Sequence, residues 1–193
     1  MNSAKPKGRL PHVVLAVTGC VQAEVTPRLV SNLLYHPEIG RHEVIVAATP
    51  AALGFFEREV VEKLIGRKMF VHHTDTTEEF PVPHINLADW ADVTLVYPAS
   101  ANTIAKCAHG ICDSLVAGLV LAATSPVYFG PTMNRRMYES RVTQRNLKLL
   151  KEYGHRFIPQ ETCRVTVKAT GEVEEKLYCT ESMVLHVCQE LFH

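Results

Sequence analysis

A run of small side chains sits where an apolar stretch stops. Val93-Thr94-Leu95-Val96-Tyr97 reads as a buried strand, and Pro98-Ala99-Ser100-Ala101-Asn102-Thr103 follows it directly, with helical pattern resuming at once. Small residues ahead of a helix let a phosphate or a flat ring touch the backbone, and the first turn offers unpaired N–H groups and a positive dipole end. Three other apolar runs also end in suggestive residues, at Thr18-Gly19-Cys20, at Thr49 and at Gly130-Pro131. Gly19, Thr49 and Ser100 would suit a phosphate-bearing cofactor. The plain alternative is that they cap helices and do nothing else. The chain contains neither G-x-G-x-x-G nor G-x-x-x-x-G-K-[ST], so a dinucleotide fingerprint and a P-loop are unsupported.

The elements that must position these residues alternate. Strands are expected at 13–17, 44–48, 93–97, 127–129 and 156–158, with a short one at 69–72. Helices are expected at 24–35, from the Thr49-Pro50 start to 64 with a break at Gly54, and at 84–91, 102–109 and 114–123. A further helical stretch, 134–153, places Val142, Leu149 and Tyr153 on one face, and Asp113 is expected to help cap the helix beginning at Ser114. Alternation of this kind argues for a parallel sheet covered on both faces, in which ligands bind beyond the carboxyl ends of the strands. Those four ends should therefore meet in space. Residues 1–11 read as a loose tail leading into one domain that takes up the rest of the 193 residues. Beyond residue 160 the pattern changes to a hairpin, with Gly171 in the turn at 169–172, and a closing helix at 181–192.

Composition narrows the function. Twenty basic residues balance twenty acidic ones, so no net field draws the chain to nucleic acid or a membrane surface, and no apolar run approaches the length of a membrane span. The six cysteines form no C-x-x-C pair and complete no zinc pattern with histidine. Reduced thiols in a cytoplasmic protein without a metal are the expectation, with Cys107, Cys112 and Cys188 as small buried hydrophobes.

Motifs sharpen this picture. Pro-Ala-Ser-Ala-Asn-Thr at 98–103 is followed by Gly-Ile-Cys-Asp-Ser-Leu-Val-Ala-Gly at 110–118. His84-Ile85-Asn86-Leu87-Ala88-Asp89-Trp90-Ala91-Asp92 precedes them, and Pro131-Thr132-Met133-Asn134-Arg135-Arg136-Met137-Tyr138 comes after. In this order they resemble the homo-oligomeric flavin-containing cysteine decarboxylases, over roughly residues 12–158; only Tyr138, in place of Trp, departs from the last motif. The resemblance implies a Rossmann-like, flavodoxin-type α/β fold. It also implies bound FMN (FAD in some members) at a subunit interface, and trimers that often build dodecamers. Ser100, Ala101, Asn102 and Thr103 match flavin contacts, and Gly19, Cys20 and Thr49 match the phosphate side. Phe55 and Met137 match further contact positions. Cys20 stands where relatives often carry Ser, which weakens one expected hydroxyl hydrogen bond.

His84 matches the active-site histidine. A cysteine thiol is only a few per cent thiolate at neutral pH, and a neutral imidazole beside it can take the proton as sulfur gives up electrons. The matching role for Asn134 is to hold the substrate carboxylate. A neutral amide suits that task, because a cation would stabilise the carboxylate and slow loss of CO2. An N-cap is the other use for Asn134, through different atoms. Met133 is expected beside the substrate.

Two branches of the resemblance begin alike, with oxidation of the cysteine thiol to a thioaldehyde and departure of the carboxylate β to it. One branch acts on the C-terminal cysteine of a precursor peptide and stops at the enethiol, a step toward ribosomal natural products. The other decarboxylates phosphopantothenoylcysteine on the route to coenzyme A and reduces the enethiol, using a cysteine in a Gly-rich segment as proton donor. Here Cys163 lies in Cys-Arg-Val-Thr-Val-Lys, without glycine-rich context, and the segment 161–178 reads as a hairpin that closes over an extended peptide, with Cys163 and Gly171 near the substrate. The peptide branch is the expectation, with coenzyme A synthesis as the alternative if Cys163 occupies the donor position. A non-catalytic flavin-binding regulatory subunit and a flavin prenyltransferase are the rivals. Retention of His84 and Asn134 argues against the first, and the Pro-Thr-Met-Asn motif against the second.

Overall fold

The computed structural model describes residues 9–166 and 173–192. Five strands form one parallel sheet: β1 (His12–Val17), β2 (Glu43–Ala48), β3 (Val93–Ala99), β4 (Val127–Pro131) and β5 (Arg156–Phe157). Their order is β2-β1-β3-β4-β5, the flavodoxin-type order. The chain leaves β1 toward β2 on one side and returns to place β3 on the other. This reversal opens a crevice above the ends of β1 and β3.

Among the described residues, eight helices flank the sheet: α1 (Thr26–Tyr35), α2 (Arg58–Ile65), α3 (Pro83–Trp90), α4 (Ala101–Ala108), α5 (Leu115–Ala122), α6 (Arg135–Tyr138), α7 (Arg141–Glu152) and α8 (Glu181–Phe192). Two short 3-10 turns, Val21–Val25 and Pro50–Gly54, follow β1 and β2. Strand alternation sorts the core. Val13, Leu15 and Val17 face Leu29, Leu33, Val61, Val184 and Cys188, whereas Val14 and Ala16 face Leu87, Ile104, Leu119, Leu147 and Leu150. All five residues of β1 after His12 are sealed from solvent, and each larger one contributes about 1.5–3 kcal/mol by burial.

A separate antiparallel pair, β6 (Glu161–Thr166) with β7 (Val173–Tyr178), forms the expected hairpin. Its turn, with Gly171, lies outside the described residues, as do the side chains of 161–178, Cys163 among them. The hairpin is rooted on the main sheet. The buried Tyr97 hydroxyl donates to the Cys179 carbonyl at 3.1 Å, and Gln160 Nε2 donates to the Pro131 carbonyl at 3.4 Å.

Several local expectations are corrected. The helix expected from residue 24 begins as a 3-10 turn and becomes α-helical at Thr26, with Pro27 in its first turn. The segment 69–72 makes only an isolated bridge between Phe70 and Ala47. On α7 the buried stripe is Thr143, Asn146, Leu147 and Leu150, while Val142 and Tyr153 are exposed. Asn146 is drawn inward by His109, whose Nε2 lies 3.1 Å from its Oδ1. Cys112 is exposed rather than buried. Asp113 pairs with Lys106 at 2.7 Å, and Ser114 caps α5 by accepting from the Ala117 amide. Residues 9–11 of the expected tail are tied down, with Arg9 bonded to Asp92 at 2.6 Å and the Pro11 carbonyl accepting from Glu43.

Candidate functional site

The ends of β1, β2, β3 and β4 converge on a cavity of about 960 Å³. That is the upper end of the roughly 300–1,000 Å³ range for cofactor and ligand clefts. Its wall contains Gly19, Cys20, Thr49, Phe55, Ser100, Ala101, Asn102, Thr103, Met133, Asn134 and Met137. Four of these, Cys20, Thr49, Ser100 and Asn134, are the N-cap residues of four helical segments. The starts of four helical segments, with the positive ends of their backbone dipoles, therefore meet at one space.

Thr18 builds the β1/β3 side. Its buried hydroxyl donates to the Pro98 carbonyl at 2.6 Å and accepts from the Ser100 amide at 2.8 Å. This holds the start of α4 against the end of β1. Ser100 spends its hydroxyl inside its own helix, donating to Thr103 Oγ1 at 3.1 Å and accepting from the Thr103 amide at 3.3 Å. The side chain is thus a cap, and the cavity meets the amides and small groups of the following turn. Gly19 is required for a different reason from ligand approach. A Cβ there would lie 2.6 Å from Ala51 Cβ, so glycine lets the two strand-end turns touch.

On the opposite wall the Thr132 amide donates to the Ala99 carbonyl at 3.0 Å, tying β4 to β3. Asn134 Oδ1 accepts from the Arg136 amide at 2.9 Å. That bond fixes the amide plane and leaves the Nδ2 donors for another partner. Burial raises the Cys20 thiol above its ordinary value, against the lowering effect of the Gln22 and Ala23 amides, so Cys20 faces the cavity as a neutral thiol.

His84 does not line this cavity in its own chain. It sits in the first turn of α3 with Nδ1 3.3 Å from Nδ1 of His73. Burial, and then the like charge His73 carries whenever it is protonated, lower its pKa and favour the neutral ring. Lys106, Asp113, Gln22 and Thr132 also line the cavity, and none of them was among the expected site residues; Asp113 was expected only as a cap. Helical spacing from Asn102 and Thr103 carried the signal for Lys106, because residues three and four apart share a face. Thr132 lay inside a motif already quoted.

A flavodoxin-type sheet with a cavity of this size at its β1/β3 switch point defines an α/β protein built to bind a phosphate-bearing ring cofactor. Within that class the chain belongs to the flavoprotein family, whose model matches residues 1–186. It is 35% identical over 163 residues to a probable phosphopantothenoylcysteine decarboxylase of Streptococcus mutans, covering 83% of this chain and 87% of the relative. It also matches bifunctional coenzyme A biosynthesis proteins, spanning about a third of their length; the figure for that of Haemophilus influenzae is 35%. Among solved structures, a PPC decarboxylase mutant complexed with pantothenoylaminoethenethiol superposes with a TM-score of 0.78 at 28% identity, over 95% of this chain and 98% of that one. The FMN-dependent cysteine decarboxylase SpaF superposes with a TM-score of 0.76 at 26% identity, over 94% and 96%.

The residues present fit a flavin phosphate. Thr49 Oγ1 is buried, lies in the cavity wall and has no hydrogen-bond partner within the protein. An orphaned hydroxyl of that kind is costly unless a ligand satisfies it.

Proposed function

We propose that the chain is an FMN-dependent decarboxylase of a cysteine carboxylate, and that its substrate is phosphopantothenoylcysteine. The observation carrying the substrate is the length-matched likeness to the Streptococcus mutans relative. The chemistry is supported by the cavity of N-capped strand ends with Asn134 in its wall. When bound, FMN supplies a two-electron acceptor for the cysteine. Ala101, Asn102 and Thr103 would hold its ring, with Phe55 and Met137 at the margins. Gly19, Cys20 and Thr49 would hold its phosphate.

The chain's own groups do the rest. Asn134 Nδ2 donates to the substrate carboxylate without adding a cation, so the carboxylate stays ready to leave as CO2. Met133 packs beside it. His84 takes the thiol proton as a neutral base. Because His84 stands outside its own cavity, the site is completed in a homo-oligomer, where one chain's His84 serves a neighbour's cavity. Exposed apolar residues at the cavity wall, Val21, Phe55 and Met137, and Ile85 beside His84, suit burial between such copies. A trimer, further assembled into a dodecamer, is the proposed state.

The second reading is oxidative decarboxylation of a peptide's C-terminal cysteine. The hairpin favours it, because β6 and β7 occupy the segment where the coenzyme A branch carries a glycine-rich run around its donor cysteine, and Cys163 has no such neighbours. Mass spectrometry on both substrates separates the readings. Loss of CO2 alone from phosphopantothenoylcysteine supports the first, whereas loss of CO2 with two hydrogens from a cysteine-ended peptide supports the second. A colourless protein inert on both would sink the decarboxylase assignment. His84→Asn should retain flavin and lose about two orders of magnitude or more in turnover; near-normal turnover would remove His84 from the mechanism.

A further inference from the structure

The loop after the Phe70 bridge carries a histidine whose environment the base role of His84 does not itself explain. His73 and His84 meet edge to face, with ring centroids 5.0 Å apart and an interplanar angle of 86°. Their Nδ1 atoms are 3.3 Å apart, so one nitrogen donates and the other accepts.

Three features place this pair. Asp75 Oδ2 accepts from the Val71 and His72 amides at 2.7 and 2.9 Å, folding the loop that presents His73. Asn86 Oδ1 accepts from the Val82 amide at 2.7 Å, fixing the start of α3 beneath His84. Gly118 of α5 makes room for both rings. A Cβ there would lie 3.1 Å from His73 Cε1 and 3.3 Å from His84 Cβ.

We propose that His73 is a positioning residue for His84, accepting the His84 Nδ1 proton at its own Nδ1 and so holding His84 with a bare Nε2 turned to the substrate thiol. The proposal rests on the base role assigned to His84 above. A base that works through Nε2 must carry its one proton on Nδ1, and that proton needs an acceptor. In catalytic triads a carboxylate fills this place and stabilises the imidazolium that forms. Here the acceptor is a second imidazole, which fixes the tautomer without adding the negative charge that would raise the pKa of His84. In the step itself the thiol S–H bond breaks and an Nε2–H bond forms. The His84 Nδ1–H bond to His73 then becomes charge-assisted and strengthens as His84 turns cationic. Protonation of His73 would remove the acceptor and place a cation against the base.

The test reads the tautomer directly. In the flavin-loaded protein labelled with 15N histidine, the His84 ring should show a protonated Nδ1 and an unprotonated Nε2 at neutral pH. His73→Phe keeps a ring over Gly118 but removes the acceptor. It should release that tautomer and lower kcat by about ten- to a hundredfold, the scale for an orienting partner, with KM changed by less than about twofold. His73→Asn places an amide oxygen near the lost nitrogen and should restore most of the loss and the wild-type tautomer. A wild-type His84 protonated on Nε2 overturns the proposal, and so does His73→Phe with unchanged kcat. His84→Asn separates the two claims. If it leaves turnover intact, the base role itself has failed; if it abolishes turnover while His73→Phe is silent, only the role of His73 has.

Discussion

Thr49 shows how one atom can speak for a ligand. Its hydroxyl is buried in the cavity wall without a protein partner, at a position where the backbone amide is already committed to the Val17 carbonyl at 2.9 Å. Removing an unsatisfied hydroxyl relieves the empty protein of a desolvation cost. Thr49→Val should therefore leave the melting temperature of the flavin-free protein unchanged or slightly raised. It should weaken flavin binding by about tenfold, the value of one good hydrogen bond, measured by quenching of flavin fluorescence. An unchanged Kd would show that Thr49 does not face the cofactor. Cys107 and Cys188 make the contrast. Burial pushes each thiol up to about 12, so both are inert packing groups.

At the level of the element, α7 carries the clearest lesson. Its apolar residues suggested a face with Val142, Leu149 and Tyr153. The helix instead turns Leu147 and Leu150 to the core and sinks the polar Thr143 and Asn146 beside them. Thr143 is accommodated because its amide and hydroxyl meet the Ser140 hydroxyl at 3.2 and 3.0 Å, and Asn146 because His109 meets its oxygen. Leu150→Ala should cost about 2–5 kcal/mol in urea denaturation, whereas Val142→Lys should stay within about 0.5 kcal/mol. The reverse ranking would restore the face inferred from the sequence. Tyr97 plays a comparable part between elements. It lies under Gly130, where a Cβ would approach its ring to 2.6 Å, and its hydroxyl anchors the chain at Cys179 just past the hairpin. The strand that leads into the cofactor cavity thus also roots the segment proposed to hold substrate.

Across the whole molecule, histidines that folding partly desolvates tie stability to pH. Burial lowers the pKa of His42, His155 and His84, the last helped by His73. Their unfolded counterparts titrate near 6.5, so between that value and the lowered folded ones the unfolded chain binds more protons. Stability from these groups is complete above about pH 6.5 and is lost as pH falls through the window beneath it. The urea midpoint should drop between about pH 7.5 and about pH 5.5, and a flat profile would contradict the burial. His155→Asn, which keeps an acceptor near the Val127 amide now bonded to His155 Nδ1 at 3.3 Å, should reduce the slope. Assembly is testable at the same scale. Sedimentation should find multiples of the 21.5 kDa chain, and dilution to the monomer should release flavin. A monomer that stays yellow would refute the shared site.

The alternation of apolar runs with helical spacing was enough to place β1, β2, β3, β4 and most of the helices, because period 2 and period 3.6 are local properties written in side-chain order. Motif residues likewise marked the cavity wall, since Gly19, Thr49, Ser100 and Asn134 stand at strand ends that a parallel sheet must gather on one side. Only the tertiary structure decided which atoms remain for chemistry. Ser100 turned out to use its hydroxyl as a cap, while Thr49 kept its own unpaired. It alone showed that Thr18 clamps two strands, that Gly19 answers to Ala51, and that His73 meets His84 across eleven positions of sequence. Those facts depend on contacts between segments brought together by folding, and hydrogen-bond partners across such distances leave no periodic trace in a single chain.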